Sequence, residues 1–167
     1  IDNDGDMDIV SASRLDDTIA LYVNNGAADP SFSASNISTS TDGAIAVAIA
    51  DIDRNGYNDI LTAGFDDDKI QWFENSLSNS ETANVSYQRT VTSSADGAIS
   101  VFAADVDSDG DIDLLSAAFV DDKIAWYENN GSESFTARTI TTSTDGAHSV
   151  YPIDVDSDGD IDVVSAS

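Results

Sequence analysis

The sequence predicts an all-β fold of repeated four-stranded antiparallel blades, as in a β-propeller. A segment of the form Asp-x-Asp-x-Asp/Asn-Gly, followed by further aspartates and a short apolar run, occurs four times at spacings of 49 to 54 residues. Periods near 50 residues are typical of propeller blades, solenoids and arrays. The apolar runs are short and rich in β-branched and aromatic residues, and no window of helical length carries an apolar stripe with 3.6-residue spacing.

Each unit contains four predicted strands, which the third unit illustrates. Its strand-like runs are bounded by Gly, Asp, Asn or Ser and cover residues 98–106, 112–119, 123–128 and 135–142. The turns between them are the Asp-rich loop, Asp121-Asp122 and Asn129-Asn130-Gly131, and an Asp-Gly pair leads into the next unit. Four strands joined by such short turns favour one antiparallel blade.

The repeat divides the chain into complete and partial blades. Residues 44–97 and 98–146 form complete blades, residues 1–43 a blade without its first strand, and residues 147–167 the first half of another. About three blades cannot close a ring of four to eight. We therefore expect a fragment of a larger propeller, or self-association through open sheet edges. The chain opens within a loop at Ile1, which indicates that the true N-terminus lies upstream.

The repeated Asp-rich loop predicts a calcium site. Carboxylates at alternate positions, with a glycine that lets the chain reverse, form a cage of hard oxygens, and Ca²⁺ accepts six to eight such ligands. EF-hand and dockerin loops begin in the same way but need an acidic ligand at their twelfth position and helical flanks. Here that position is Thr62, Ser116 or Ser165. Three intact loops and one truncated loop are therefore predicted to bind Ca²⁺, but not as EF-hand or dockerin loops.

The loop also resembles a known family. The Asp-x-Asp-x-Asp-Gly-x-x-Asp segment, followed by Leu-Leu-Ser-Ala-Ala or Val-Val-Ser-Ala-Ser, is similar to the FG-GAP/VCBS repeats of integrin-α-like propellers and bacterial secreted proteins. The resemblance covers essentially the whole chain. It implies that each loop joins the first two strands of a blade and binds Ca²⁺ through side chains at positions 1, 3, 5 and 9 and the carbonyl at position 7.

The ligands that the resemblance implies are named here by loop. They are Asp51, Asp53, Asn55 and Asp59 with the carbonyl of Tyr57 (the Asp51 loop); Asp105, Asp107, Asp109 and Asp113 with the carbonyl of Asp111 (the Asp105 loop); Asp154, Asp156, Asp158 and Asp162 with the carbonyl of Asp160 (the Asp154 loop); and Asp2, Asp4 and Asp8 with the carbonyl of Asp6 (the truncated loop). The Asp51 loop is expected to bind more weakly, because Asn55 replaces a carboxylate and Arg54 adds positive charge nearby.

The other conspicuous residues favour structural roles. The pairs Asp67-Asp68 and Asp121-Asp122 could be a glycosidase acid and base, but they recur on hairpin turns, where solvated aspartates are common. Trp72-Phe73 and Trp126-Tyr127 lie mid-strand, where packing between blades is favoured over sugar stacking. His148 is the single histidine. No set of residues supplies a nucleophile, a base and an oxyanion site, so we expect no enzyme activity.

The composition limits the cellular locations and the classes of binding partner that can be expected. The 32 acidic and 6 basic residues give a formal charge of −26, which makes nucleic acid an implausible partner. The 41% hydrophobic content, in β-patterned runs, is enough for a packed core. There is no cysteine, and no apolar stretch reaches membrane-spanning length, so membrane insertion is not expected. These features agree with an extracellular or cell-surface location.

The sequence therefore predicts a calcium-binding repeat module of a secreted or cell-surface protein. Its ions would be structural, and its ring would present a face for adhesion to a protein, matrix or glycan partner. Two alternatives remain open. Propellers with this repeat include lectins, whose pockets lie between blades, and the module could also be a non-catalytic appendage of a polysaccharide-active enzyme.

Overall fold

The computed structural model describes residues 1–76 and 85–167, and the regular structure in these ranges is all β. A first sheet contains β1 (Ile9–Ser13), β2 (Thr18–Asn24) and β3 (Phe32–Ser38). A second sheet contains β4 (Ala44–Ala50), β5 (Asp59–Gly64), β6 (Lys69–Asn75) and β7 (Val85–Thr92). A third sheet contains β8 (Ala98–Ala104), β9 (Asp113–Ala118), β10 (Lys123–Asn129) and β11 (Phe135–Thr141), and a fourth contains β12 (Ser149–Ile153) and β13 (Asp162–Ala166).

Each sheet is an antiparallel meander in which strands adjacent in sequence are also paired in space. The predicted all-β fold of repeated four-stranded antiparallel blades is thereby confirmed. β8 to β11 lie on the four runs predicted for the third unit, with ends that differ by at most two residues. In the described ranges, no helix is long and apolar enough to span a membrane.

The core lies between successive sheets. Alternate residues of a strand point to opposite faces, so Leu114 of β9 packs toward the second sheet while Leu115 packs toward the fourth. The same holds for Ile60 and Leu61 of β5, which belong to different apolar clusters. Every residue of β5 and β9 is consequently buried.

The aromatic pairs take part in this packing, as the sequence predicted. Trp72, Phe73 and Tyr127 are buried between sheets. Trp126 is half-buried against the cluster between the third and fourth sheets, and the Arg138 guanidinium covers its ring at 5.4 Å from the centroid.

The second aspartate of each Asp-Asp pair ties one sheet to the turn that begins the next. An oxygen of the side chain accepts a hydrogen bond from a glycine N–H in that turn, and the backbone carbonyl accepts another nearby. The side-chain bonds join Asp17 to Gly43 at 3.0 Å, Asp68 to Gly97 at 3.1 Å and Asp122 to Gly146 at 2.8 Å. These aspartates are therefore more than solvated turn residues, because each accepts a hydrogen bond from the turn that leads into the following sheet.

Replacing Asp68 with alanine should destabilise the protein by roughly 2 kcal/mol. The variant loses the bond to Gly97, and alanine is poorly suited to the backbone φ of 59° at this position. The matched control is Asp66→Ala, which removes a half-exposed ion pair with Arg14 and should cost less than about 1 kcal/mol. Chemical denaturation measures both variants, and equal losses of stability would contradict the assigned tie.

Candidate metal centres

The Asp-rich loops lie where the first strand of a sheet turns into the second. The Asp51 loop joins β4 to β5, the Asp105 loop joins β8 to β9, and the Asp154 loop joins β12 to β13. The truncated loop leads directly into β1. This placement is the one that the family resemblance implied.

Each intact loop brings three carboxylates to one point. In each group the oxygens lie within 4.8 Å of one another. The groups are Asp51, Asp53 and Asp59; Asp105, Asp107 and Asp113; and Asp154, Asp156 and Asp162. Three negative groups this close repel one another unless a cation lies between them, and an all-oxygen set of this kind suits Ca²⁺.

Backbone geometry holds the loop in this shape, as the Asp105 loop illustrates. Its fourth residue, Ser108, has a φ of 61°, and its sixth, Gly110, has a φ of 93°. These two left-handed residues reverse the chain. The reversal lets the Gly110 N–H donate to Asp105 Oδ2 at 3.0 Å. The same bond closes the Asp51 and Asp154 loops.

The ninth-position aspartate is the most firmly held ligand candidate. Asp59 is fully buried, and its two oxygens accept hydrogen bonds from the N–H groups of Ile52 at 2.9 Å and Asn75 at 2.7 Å. Burial raises the pKa of Asp59 to about 7, against the lowering effect of these two donors. Burial likewise raises the pKa of Asp113. Such a carboxylate is ionised at neutral pH more readily when a cation is beside it.

The first-position aspartates show that the residues fit a cation. Asp51 Oδ1 and Asp105 Oδ1 are both buried, and neither receives a hydrogen bond from the described residues. A buried polar oxygen without a donor costs about 1–3 kcal/mol, and more when it is charged. A metal ion at the centre of each group would satisfy these two oxygens.

Positions 5 and 7 play a different part in the structure. The side chains of Asp109 and Asp158 do not belong to the three-carboxylate groups, and Asn55 occupies the same position in the Asp51 loop. Each accepts a hydrogen bond through Oδ1 from the N–H of the seventh residue, at 2.8 to 2.9 Å. Those seventh residues are Tyr57, Asp111 and Asp160, whose carbonyls remain predicted ligands.

The truncated loop is arranged differently. No group of three close carboxylates forms from Asp2, Asp4, Asp6 and Asp8 within the part of the chain that the structure describes. Two contacts of the intact loops are nevertheless retained: Asp8 Oδ2 lies 2.7 Å from the backbone nitrogen of Ile1, and Asp2 Oδ1 accepts the Asp4 N–H at 3.3 Å. Metal binding at this loop stays a prediction.

Arg54 affects a different loop from the one expected. Its guanidinium extends to the next sheet and pairs with Asp111, a residue of the Asp105 loop. Arg54 itself has a left-handed backbone, with φ 58°. Its charge therefore bears on the Asp105 loop as well as on the Asp51 loop.

Sequence reasoning missed two asparagines beside the metal groups. Asn75 and Asn129 end β6 and β10, are almost fully buried, and donate their backbone N–H to the ninth-position aspartates. Asn24 ends β2 and contacts Asp8 in the same way. The signal was present in the sequence, because an asparagine recurs at the end of the third strand of each unit.

Comparison with solved structures supports the fold. The chain is similar to a lectin of Agrocybe aegerita, described as specifically recognising non-reducing terminal N-acetylglucosamine, with a TM-score of 0.57 and 17% sequence identity. The similarity covers 95% of this chain and 46% of that chain, so the protein described here spans about half of that lectin's length.

Comparison of sequences identifies the repeat. No curated protein matches the chain. The model of the FG-GAP-like repeat matches three overlapping segments, residues 1–62, 51–116 and 105–165. Each of these segments begins at or just within an Asp-rich loop and ends just beyond the following one. The chain therefore belongs to the FG-GAP-like repeat family.

Proposed function

We propose that this chain is a calcium-stabilised β-propeller module of a secreted or cell-surface protein. The observation that carries the proposal is the convergence of three carboxylates within 4.8 Å in each intact loop. The buried oxygens of Asp51 and Asp105, which receive no hydrogen bond from residues 1–76 and 85–167, give it further support. Bound calcium would join the first two strands of a sheet and offset the repulsion between the ligands.

The donor set favours calcium over other common metals. Every candidate ligand is an oxygen, whereas zinc and copper sites in proteins commonly use histidine or cysteine. Mg²⁺ usually keeps several waters and demands near-octahedral geometry. Open loops of this kind are expected to bind with a Kd of roughly 10⁻⁴ to 10⁻³ M, as extracellular modules do. Millimolar calcium outside cells would fill sites of that affinity, and an extracellular location is part of this proposal.

The ions are proposed to be structural, not catalytic. One contiguous loop within a hairpin supplies all the proposed ligands of each site, so the ion would be enclosed by the turn that it stabilises. The proposed activity is binding: the blades present a surface to a protein or matrix partner, and further blades of a longer chain would complete the ring. Calcium is expected to raise stability without creating hydrolase activity.

A lectin is the second candidate, and a cleft in this chain favours it. The cleft has a volume of about 560 Å³, and Phe119, Asp145 and His148 contribute to its lining. Phe119 is 44% exposed, so its ring is accessible to the apolar face of a sugar. An aromatic ring beside a carboxylate and an imidazole offers both stacking and hydrogen bonds. The structural similarity to an N-acetylglucosamine-binding lectin agrees with this candidate.

Removing calcium should lower the melting temperature, and Asp107→Ala should remove one site's share of that effect. If calcium stands at a hundred times Kd, each filled site contributes about 2.7 kcal/mol by mass action. The measurement is thermal unfolding in excess calcium and in chelator. The matched control is Asp121→Ala, which removes the same charge from a turn outside the loops and should keep the full calcium response. An unchanged wild-type melting point after chelation would overturn the proposed sites.

Lowering the pH from 8 to 6 should weaken calcium binding at the Asp51 loop roughly tenfold. With its pKa raised to about 7, Asp59 binds a proton more tightly in the folded, ion-free protein than in the unfolded chain. The ion-free protein is thus stabilised as the pH falls from 7 toward 4. Calcium must displace that proton, so the calcium-dependent stabilisation is complete only well above pH 7 and declines as the pH falls through 7.

Residue-resolved calcium titrations at the two pH values measure this effect. The Asp154 loop is the internal control, because its ninth predicted ligand, Asp162, is exposed whereas Asp59 is buried. Equal weakening of the two loops would contradict the role assigned to the buried Asp59.

A glycan array, probed with and without calcium, separates the two candidate functions. A module for protein or matrix partners is expected to retain no glycan. The lectin candidate predicts retention of glycans that end in N-acetylglucosamine, with Phe119→Ala lowering that retention at least tenfold. Tyr87→Ala, at an exposed aromatic residue of the second sheet, is the control. Glycan retention that survives Phe119→Ala would exclude this cleft as the sugar site.

A further inference from the structure

We propose that Asn75 and Asn129 couple neighbouring metal loops, so that a cation in one loop tightens cation binding in the next. The inference rests on the calcium sites proposed above and assigns positioning residues to them. It comes from a chain of hydrogen bonds that passes from sheet to sheet.

Asn129 contacts two metal loops at once. Its backbone N–H donates to Asp113 Oδ1 at 2.7 Å, and its side-chain Nδ2 donates to the Ile112 carbonyl at 3.0 Å, both within the Asp105 loop. The same Nδ2 also donates to the Ile52 carbonyl of the preceding Asp51 loop, at a longer 3.5 Å. Because both acceptors are carbonyls, the amide must present its NH₂ group to them, which fixes its orientation.

Ile52 connects this asparagine to a ligand of the preceding loop. Its N–H donates to Asp59 Oδ2 at 2.9 Å, and its side chain is 1% exposed. Three hydrogen bonds therefore join Asp59 to Asp113 through the backbone N–H and C=O of buried Ile52 and through buried Asn129. Both end points are ninth-position carboxylates of neighbouring metal groups.

Asn75 makes the same connection one unit earlier. Its Nδ2 donates to the carbonyls of Ile1 and Asn58, each at 3.0 Å, and its backbone N–H donates to Asp59 Oδ1 at 2.7 Å. The backbone nitrogen of Ile1, the counterpart of that of Ile52, in turn lies 2.7 Å from Asp8 Oδ2. The repetition shows that the bridge belongs to the repeat and not to one contact.

This chain of hydrogen bonds predicts that a cation in one loop increases the cation affinity of the next loop. A cation in the Asp51 loop fixes Asp59, which holds the N–H of Ile52 and thereby the backbone of this residue, whose carbonyl accepts from the amide of Asn129. Asn129 then holds Asp113 in place before a cation enters the Asp105 loop. Less conformational entropy is therefore lost when the second cation binds. Couplings between sites are typically 5- to 150-fold in affinity.

Electrostatics between the loops predicts the opposite sign. An empty Asp51 loop keeps the negative charge that calcium would neutralise, and this charge attracts a cation to the neighbouring loop. If charge alone linked the loops, emptying the Asp51 loop would tighten binding at the Asp105 loop. The hydrogen-bond bridge predicts that emptying it weakens that binding.

Emptying one loop and titrating its neighbour tests the proposal. Asp53→Ala removes a central ligand of the Asp51 loop, and the amide signal of Gly110 reports calcium binding at the Asp105 loop in an NMR titration. We expect Asp53→Ala to weaken binding at the Asp105 loop about fivefold in an otherwise unchanged protein. In an Asn129→Ala background, the same substitution should change that affinity less than twofold.

Asn24→Ala is the matched control. The side-chain Nδ2 of Asn24 donates to the Met7 carbonyl of its own loop at 3.2 Å, and its backbone N–H donates to Asp8. Asn24→Ala should lower stability in chelator, as Asn129→Ala does, because both remove a loop hydrogen bond. It should leave the fivefold effect of Asp53→Ala intact, so a general loss of stability cannot imitate a loss of coupling.

The outcomes separate this inference from the proposed function. If calcium binds at the Asp105 loop but Asp53→Ala leaves its affinity unchanged or increases it, the coupling is overturned and the calcium sites stand. If calcium binds at no loop, the proposed function fails and the coupling fails with it. Should Asn129→Ala not fold, Asn129→Ser replaces it, since serine is polar but too short to reach Ile52. The Asp53→Ala measurement in the otherwise unchanged protein decides the sign in either case.

Discussion

Repulsion between carboxylates at one end of the second, third and fourth sheets is the constraint on which the rest of this structure depends. Three acidic oxygens lie within 4.8 Å of one another in every intact loop. At about 4 Å and an effective dielectric near 20, each ionised pair repels by up to ~4 kcal/mol. The loops nonetheless hold this arrangement, because glycine and left-handed residues reverse the chain and backbone N–H groups bond to the outer carboxylate oxygens. These hydrogen bonds hold the three carboxylates close together in a geometry that suits a cation.

The sheets are joined by polar ties at both of their ends as well as by apolar contacts between their faces. At the end away from the metal loops, Asp68 and its counterparts hold the turn that begins the next sheet. At the metal end, Asn75 and Asn129 reach the preceding loop. Apolar packing is not directional and fixes the position of one sheet on another only loosely. Hydrogen bonds with defined geometry fix that position, and they place the ligands of neighbouring loops in a set relation.

The strands and loops that repeat within a unit could be predicted from the sequence, whereas the side-chain contacts between sheets could not. The blade strands and the position of each Asp-rich loop follow from local patterns, since alternation, turn residues and ligand spacing are all readable within about 50 residues. Arg54 was assigned to its own loop, yet it pairs with Asp111 more than 50 residues later. Asp68 and Asn129 were taken as turn residues for the same reason. Their partners become neighbours only when one sheet stacks on the next, and no local pattern contains that stacking.

The positions of the loops also determine how calcium could influence binding elsewhere on the module. β9 carries Asp113 at its first position, while Phe119 of the cleft follows its last residue, Ala118. Six residues of extended strand separate these ends by roughly 20 Å. A cation held by the Asp105 loop is therefore too far from the cleft to touch a ligand bound there. Any calcium requirement for binding at the cleft would act through the order of the sheets, because β9 and the polar ties on either side of it are the physical connection between the two ends.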